Sequence, residues 1–351
     1  MSKAPRIFDI AQLAGVSTAT VDRVLNKRSG VRVPTVQRVM RAAAELDYLP
    51  EAGEPGGAGT AVHAPAQPDA PMRLSFLLPA GQNRFIRMLG DMVNYGRDNW
   101  TPFNVRCRTE FIESFNPHEL AAALRRHAQR ADGIALMALE HPAVREAMSE
   151  VVAAGVPVVT LISDLSNSPR AAYLGLDNRA AGRTAGYLIG RFIGLRNAKV
   201  ALIAGSRSYR AHEEREAGFQ HVMAEMFGHL QVLGLREGHD DSQQNHAQTR
   251  ALLEQHPDLG GIYNIGGASD GVALALKETG RDHKVVLVGH GLTPDTRALL
   301  IDGSMDAVIT QSPQTTLMNC VRIFTNLREK REPLLGVEAT RSQVIFRENL
   351  P

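Results

Sequence analysis

A chain of 351 residues that is 44% hydrophobic and 22% charged can bury a sizeable core and is too long for one small domain. Two cysteines, Cys107 and Cys320, exclude a disulfide framework and read as buried thiols of a reducing compartment. The opening residues lack the basic-then-apolar pattern of a signal peptide, and no apolar run reaches the roughly 18 residues of a membrane span, so a soluble cytoplasmic protein is expected.

The net charge of +2 is unevenly spread. Residues 1–50 hold eight Lys and Arg (Lys3, Arg6, Arg23, Lys27, Arg28, Arg32, Arg38, Arg41) against four acids (Asp9, Asp22, Glu45, Asp47). That surplus of four leaves the rest of the chain at −2, and a basic module on a slightly acidic body suits a phosphate-facing head.

In chain order, 7–13 and 17–26 read as two helices. Gly15 supplies the positive φ of a sharp turn, and Ser17 is a good N-cap for the second helix. Val16, Val21, Val24 and Leu25 give that helix a buried face, while Thr18, Ala19, Asp22 and Arg23 lie on the other. A third helix begins at Pro34 and carries an apolar stripe at Val36, Val39, Met40, Ala43 and Leu46. This is the layout of a helix-turn-helix, whose second helix enters the major groove.

The stretch DIAQLAGVSTATVDRVLN followed by VPTVQRVMRAAAELDYLP resembles the DNA-binding headpiece of the LacI/GalR family of bacterial regulators. Ala11, Gly15-Val16-Ser17, Thr20-Val21, Arg23 to Asn26, Thr35 and Leu46 to Pro50 carry the likeness. For base contacts the candidates are Ser17, Thr18, Ala19 and Arg23. Arg23 suits guanine O6 and N7, Thr18 a base edge and Ala19 a thymine methyl, although Arg23 could equally hold phosphate. Asn26 and Ser29 suit phosphate contacts or turn capping.

Residues 51–71 are rich in Gly, Pro and Ala without apolar period and read as a flexible linker. Relatives often place a short hinge helix there, with a Leu that wedges into the minor groove. Nothing in 51–71 follows that pattern.

From 72 onward strand and helix patterns alternate. Strands are expected at 73–79, 104–111, 133–139, 156–162 and 172–176, with helices at 84–99, 117–129 and 142–154. A second set follows: helices at 179–193, 213–227, 243–255, 270–279 and 294–301, and strands at 199–204, 231–235, 261–265 and 284–289. The strand 306–311 and the helix 315–331 are expected to return to the first lobe, and 337–346 alternates as strands do. Such alternation predicts parallel sheets with helices on both faces.

The expected fold is therefore a small all-α helix-turn-helix domain (1–50), a linker (51–71) and a two-lobed α/β body (72–351), each lobe a doubly wound parallel sheet. The first lobe is expected at 72–175 plus 306–333, the second at 178–303 plus 337–351. The stretches Gly175 to Asn178, Glu214 to Phe219 and Gly289 to Asp295 resemble the periplasmic-binding-protein type I fold, close to its ribose-type branch.

Ligands in such sheets sit beyond the carboxyl ends of the strands. That rule selects Asn83, Phe85, Glu140, Ser163 and Asp164 in the first lobe and Asp177 at the crossing. In the second lobe it selects Tyr209, Arg215, Asn264 and His290, and on the returning crossing Gln311. Carboxylates and amides paired with an aromatic face suit a sugar, polyol or sugar phosphate. The resemblance assigns ligand contact to Asp177 and Gln311, and sets His290 where relatives usually carry Asp, a change that would tolerate an anionic group. Structural roles stay open: Asp177 as a helix cap, Asp164 in a turn, Phe85 in the core, Arg215 and His290 in the framework.

No HExxH, GxSxG or Cys/His ligand spacing appears, and Asn264 to Gly267 lacks the lysine and spacing of a phosphate loop. Neither enzyme nor cofactor nor metal is expected. The resemblance implies a regulator, homodimeric or built from such dimers into a tetramer, on a pseudo-palindromic operator. A transport solute-binding component or a sugar-modifying enzyme is the competing class.

Overall fold

A computed structural model describes residues 7–25, 31, 35–36, 38–39, 42–43, 70–96, 100 and 103–351. The chain divides into two compact units, Met1–Gln67 and Pro68–Pro351.

In the first unit, helix α1 (Ile7–Ala14) and helix α2 (Thr18–Leu25) meet at a turn where Gly15 takes a φ of 63°. The Val16 N–H donates back to Ala11 (3.0 Å), closing the turn on a residue small enough for the helices to cross. Ser17 sits at the N-cap, and its hydroxyl accepts from the Thr20 N–H at 3.2 Å. Ile10, Ala11, Ala14, Val21 and Val24 bury one face together with Val39, Ala42 and Ala43, which are helical as the third-helix stripe requires. Asn26, Ser29 and residues 44–69, including most of the expected linker, lie outside the described residues.

The second unit holds two sheets. The first runs β2-β1-β3-β4-β5, from β1 (Met72–Pro79), β2 (Val105–Ile112), β3 (Gly133–Leu136), β4 (Val158–Leu161) and β5 (Ala172–Leu174), all parallel. Helices α3 (Arg84–Tyr95), α4 (Pro117–Ala128) and α5 (Pro142–Ala153) connect them. The second sheet runs β12-β11-β10-β9-β6-β7, with β8 also on β6. It comprises β6 (Lys199–Ala204), β7 (Gln231–Val232), β8 (Arg236–Glu237), β9 (Leu259–Asn264), β10 (Val286–His290), β11 (Ala307–Thr310) and β12 (Gln343–Ile345). Its helices are α6 (Asn178–Ile193), α7 (Arg210–Met226), α8 (Ser242–Gln255), α9 (Ser269–Glu278) and α10 (Pro294–Asp302). Only β12 is antiparallel to its neighbour among these strands.

Strand period two sorts the second core into two layers. Val200, Leu202 and Ala204 join a cluster with Ala181, Ile189 and Phe219 of α6 and α7. Ala201 and Ile203 point the other way, into a cluster with Leu252, Val272 and Leu300 of α8, α9 and α10. Both faces are thus covered, as near-continuous apolar strands require.

Two expectations are corrected. The strand at 306–311 does not return to the first lobe: β11 pairs with β10 and β12 in the second sheet. The turn at Gly303, with a φ of 82°, follows α10 directly, and Asp306 donates its N–H to Leu287 (2.9 Å), so the chain re-enters the same sheet at once. The crossing back is made by α11 (Pro313–Arg328), which buries Leu317, Cys320, Val321, Ile323 and Phe324 in the first core, with Val337 packed against the same core. The expected strand 231–235 is instead two short pieces, β7 and β8, on β6. Among the described residues no helix is long and apolar enough to cross a membrane.

Candidate functional site

In both sheets a switch in strand order lies beside the first strand of the lobe: β1 between β2 and β3, and β6 between β7 and β9. Carboxyl ends of strands diverge there and leave a crevice. The two crevices face each other across a cavity of about 420 Å³. Residues 82–87, after β1, and Met137, after β3, form one wall. The other comes from Ala211, His212 and Arg215 of α7, residues 266–270 after β9, and His290 and Gly291 at the end of β10. Ile309, Thr310 and Gln311 close the base.

Five of the eleven expected ligand residues line this cleft: Asn83, Phe85, Arg215, His290 and Gln311. Asn83 caps α3, accepting from the Ile86 N–H, and its amide donates to Asp240 of the other lobe at 2.9 Å. Phe85 lies against Gly291, whose φ of 77° and missing side chain leave room for the ring. Arg215, 7% exposed, donates to the Asn178 amide oxygen (2.8 Å) and the Ile265 carbonyl (2.9 Å). Nε2 of His290 shares a 2.7 Å hydrogen bond with the Tyr263 hydroxyl. Gln311 is buried, and its amide donates to Thr316 at 3.4 Å.

The other six do not line it, and each has a visible reason. Glu140 pairs with Arg145 and accepts the Ser166 N–H (2.9 Å). Ser163 accepts the Ala211 N–H at 3.3 Å. Tyr209 is buried in the first lobe's core, edge-on to Phe115 with centroids 5.6 Å apart. These three belong to the seam that joins the lobes, with the Glu140 N–H donating to Ser208 across it (2.8 Å). Asp164 is held by Arg170 (2.6 Å) and Thr160 (2.7 Å). Asp177 is an exposed N-cap of α6, accepting from Ala180 at 2.9 Å. Asn264 is fully buried and spends its amide donors on Gly267 and Ser269, fixing the loop that lines the cleft.

Several lining residues escaped the sequence reading. Gln82, Arg84, His212, Asp270 and Asp295 all face the cleft. His212 precedes Arg215 by three residues on one helix face, a spacing that could have flagged it. The rim is tied across the lobes by Gln82 to Asp241 (2.8 Å) and Arg84 to Asp295 (3.0 Å).

Electrostatically the floor and the rim differ. Burial pushes the His212 imidazole down to about 4, although Asp240 pulls it up. Burial also drives His290 well below the ordinary histidine value, and Arg215 and His212 add to the effect. Both rings are therefore neutral at pH 7. Burial lowers the Arg215 guanidinium too, which still stays charged there. The acids that line the cavity sit at the rim, where Asp295 meets Arg84 and Asp270 accepts from the Ser242 hydroxyl at 2.6 Å, while Asp240 is buried behind the lining.

In the first unit, Ser17, Thr18 and Ala19 are exposed at the N-terminal end of α2, and Arg23 is exposed in its last turn. The Ser17 hydroxyl lies 2.9 Å from that of Thr20.

Residues 6–51 match the family model for bacterial regulatory proteins of the lacI family, and residues 75–331 match the periplasmic binding protein domain. The chain is 29% identical over 172 residues to the ribose import binding protein RbsB of Escherichia coli, covering 49% of this chain and 57% of that protein. It is 28% identical over 222 residues to the HTH-type transcriptional repressor PurR of Vibrio parahaemolyticus, covering 62% and 60%. With the ribose operon repressor of Halalkalibacterium halodurans it shares 27% over 299 residues, covering 85% and 80%. The chain thus spans 57% to 60% of the ribose import proteins and PurR that it matches. Among solved structures, the glucose-galactose binding protein GanP of Geobacillus stearothermophilus superposes with a TM-score of 0.71 at 24% identity, covering 80% of this chain and 99% of that one. A solute binding protein of Burkholderia graminis in complex with D-arabinose gives 0.72 at 22%, covering 81% and 98%. The chain belongs to the periplasmic binding protein domain family and carries a lacI-type helix-turn-helix head ahead of that domain.

Proposed function

We propose that the chain is a cytoplasmic, sequence-specific DNA-binding regulator, a repressor of carbohydrate or polyol uptake and catabolism genes, controlled by a small effector in the cleft. One observation carries this reading: a lacI-type head and a two-lobed cleft body occupy the same chain. A transport component needs the cleft alone and has no use for α2 with its exposed Ser17, Thr18, Ala19 and Arg23.

The head reads an operator half-site through α2, and a homodimer reads a pseudo-palindrome. Asn26 and Ser29 steady the phosphates. Effector binding acts on DNA only through a difference in affinity between two states of the body. The rim contacts Gln82–Asp241 and Arg84–Asp295 join the lobes across the cleft, so a state with the lobes apart would differ from this one in losing them.

The test is a gel-shift titration at fixed salt on fragments flanking the chain's own gene. Wild type is expected to select one fragment, with an affinity that falls steeply as salt rises. Arg23→Ala is expected to cost about 1–3 kcal/mol on that site and to relax base preference. Equal binding by wild type and Arg23→Ala would remove α2 from the interface.

A further inference from the structure

The cleft floor holds a charge without its partner. Arg215 is buried, and among the described residues no carboxylate lies within ion-pair distance of it. Its two hydrogen bonds go to neutral oxygens, of Asn178 and Ile265. Asp240 and Glu214 attract it from farther away. Both oxygens of Asp240 are already taken, by the Gly267 N–H (2.7 Å) and the Asn83 amide (2.9 Å). Burying an ion costs several kcal/mol unless a counter-charge meets it. The floor beside Arg215 offers donors and neutral groups: His212, His290, Thr310 and Gln311.

The proton on His290 can be placed. Tyr263 is fully buried, and among the described residues Nε2 of His290 is the one hydrogen-bond partner of its hydroxyl, so donating to Nε2 is the arrangement that satisfies the hydroxyl's proton. Donation from the hydroxyl to Nε2 leaves the ring proton on Nδ1, making His290 a donor. A neutral sugar wants the opposite arrangement, a carboxylate that accepts from two adjacent hydroxyls. Here the acids that line the cleft, Asp270 and Asp295, stand on the exposed rim.

We propose that the effector is an anionic carbohydrate, whose carboxylate or phosphate sits on the Arg215 guanidinium with His290 as a second donor, and whose hydroxyls reach the acids of the rim. The proposal rests on the cleft being the effector site and goes further by naming the effector's charge.

Full-length protein would be titrated calorimetrically with matched pairs at constant ionic strength: D-glucose against D-gluconate, D-glucuronate and D-glucose 6-phosphate, and D-ribose against D-ribonate and D-ribose 5-phosphate. In at least one pair the anion is expected to bind more than about 30-fold tighter than its neutral parent, the cost of leaving a buried charge unpaired. Carboxylate and phosphate arms separate the two sources of the anion. His290→Asp is expected to reverse the order within that pair, and Arg215→Met to abolish the anion's advantage. If Arg215→Met fails to fold, His290→Asp carries the test alone. A neutral parent that binds at least as tightly as its anions overturns the proposal and leaves the effector cleft standing. No binding in any pair overturns both. Inorganic phosphate binding as tightly as the sugar anions overturns the carbohydrate part.

Discussion

The two walls of the cleft are made in different ways. The first-lobe wall is one turn and the start of α3, residues 82–87, with Met137 after β3 and Ile162 after β4. Three of its side chains, Gln82, Arg84 and Arg87, are exposed. The second-lobe wall draws on α7, the loop after β9 and the end of β10, and its polar groups are held by buried hydrogen bonds. Fixed arrangement and buried charge therefore reside in the second lobe, before any ligand arrives, while Arg84 and Arg87 of the first wall are exposed. The first lobe supplies a cover, tied down by contacts that solvent can compete for.

The largest expected effect comes from the second wall. His212 is 4% exposed, and burial holds its folded pKa near 4, against 6.5 for the free group. Between those values the unfolded chain binds a proton that the fold refuses, so stability falls as pH drops from about 6.5 to about 4. Full expression of that difference is about 3 kcal/mol. Urea unfolding of the body at pH 7.5 and pH 4.5 checks it, and His212→Gln should reduce the slope, leaving the share of His290, which burial also holds well below the ordinary value. The head contains no histidine, and its own unfolding should ignore this window. An unchanged slope in His212→Gln would remove this imidazole as the cause.

Next comes the packing beneath that wall. A Cβ at Gly182 of α6 would lie 2.0 Å from the Arg215 carbonyl oxygen of α7, with backbone on both sides of the contact. Gly182→Val is expected to cost about 1–3 kcal/mol and to displace Arg215 from the cleft. Gly228→Ala is the control, because nothing lies within 4 Å of the added carbon and its φ is ordinary. Equal urea midpoints for the two variants would mean that α6 and α7 part without consequence.

The smallest effect belongs to the first wall. Arg84 and Asp295 pair at 3.0 Å with their side chains 58% and 38% exposed. Arg84→Ala should change stability by less than about 1 kcal/mol. A loss of several kcal/mol would show the cover to be as structural as the wall it faces.

How much of this was legible in the sequence depends on the element. The turn at Gly15 and the cap at Ser17 were readable because φ sign and capping are local properties. Alternating strand and helix patterns were readable for the same reason. Five cleft residues followed from the rule that strand ends carry ligands. The rule could not separate them from Glu140, Ser163 and Tyr209, because strand ends face both the cleft and the seam between the lobes. Asp177 shows the limit plainly: one carboxylate can cap a helix or bind a ligand, and only its exposure away from the cavity decides.

Residue order alone determined the head, the two-lobed alternation and the basic-to-acidic split, since each depends on periodicity, glycine placement or charge within a short stretch. Tertiary structure decided which lobe owns β11, because a strand's partner is chosen by long-range hydrogen bonding rather than by its own pattern. It also decided that Arg215 is buried with no carboxylate at ion-pair distance among the described residues, since an ion's partner is a matter of distance in space and not of chain order.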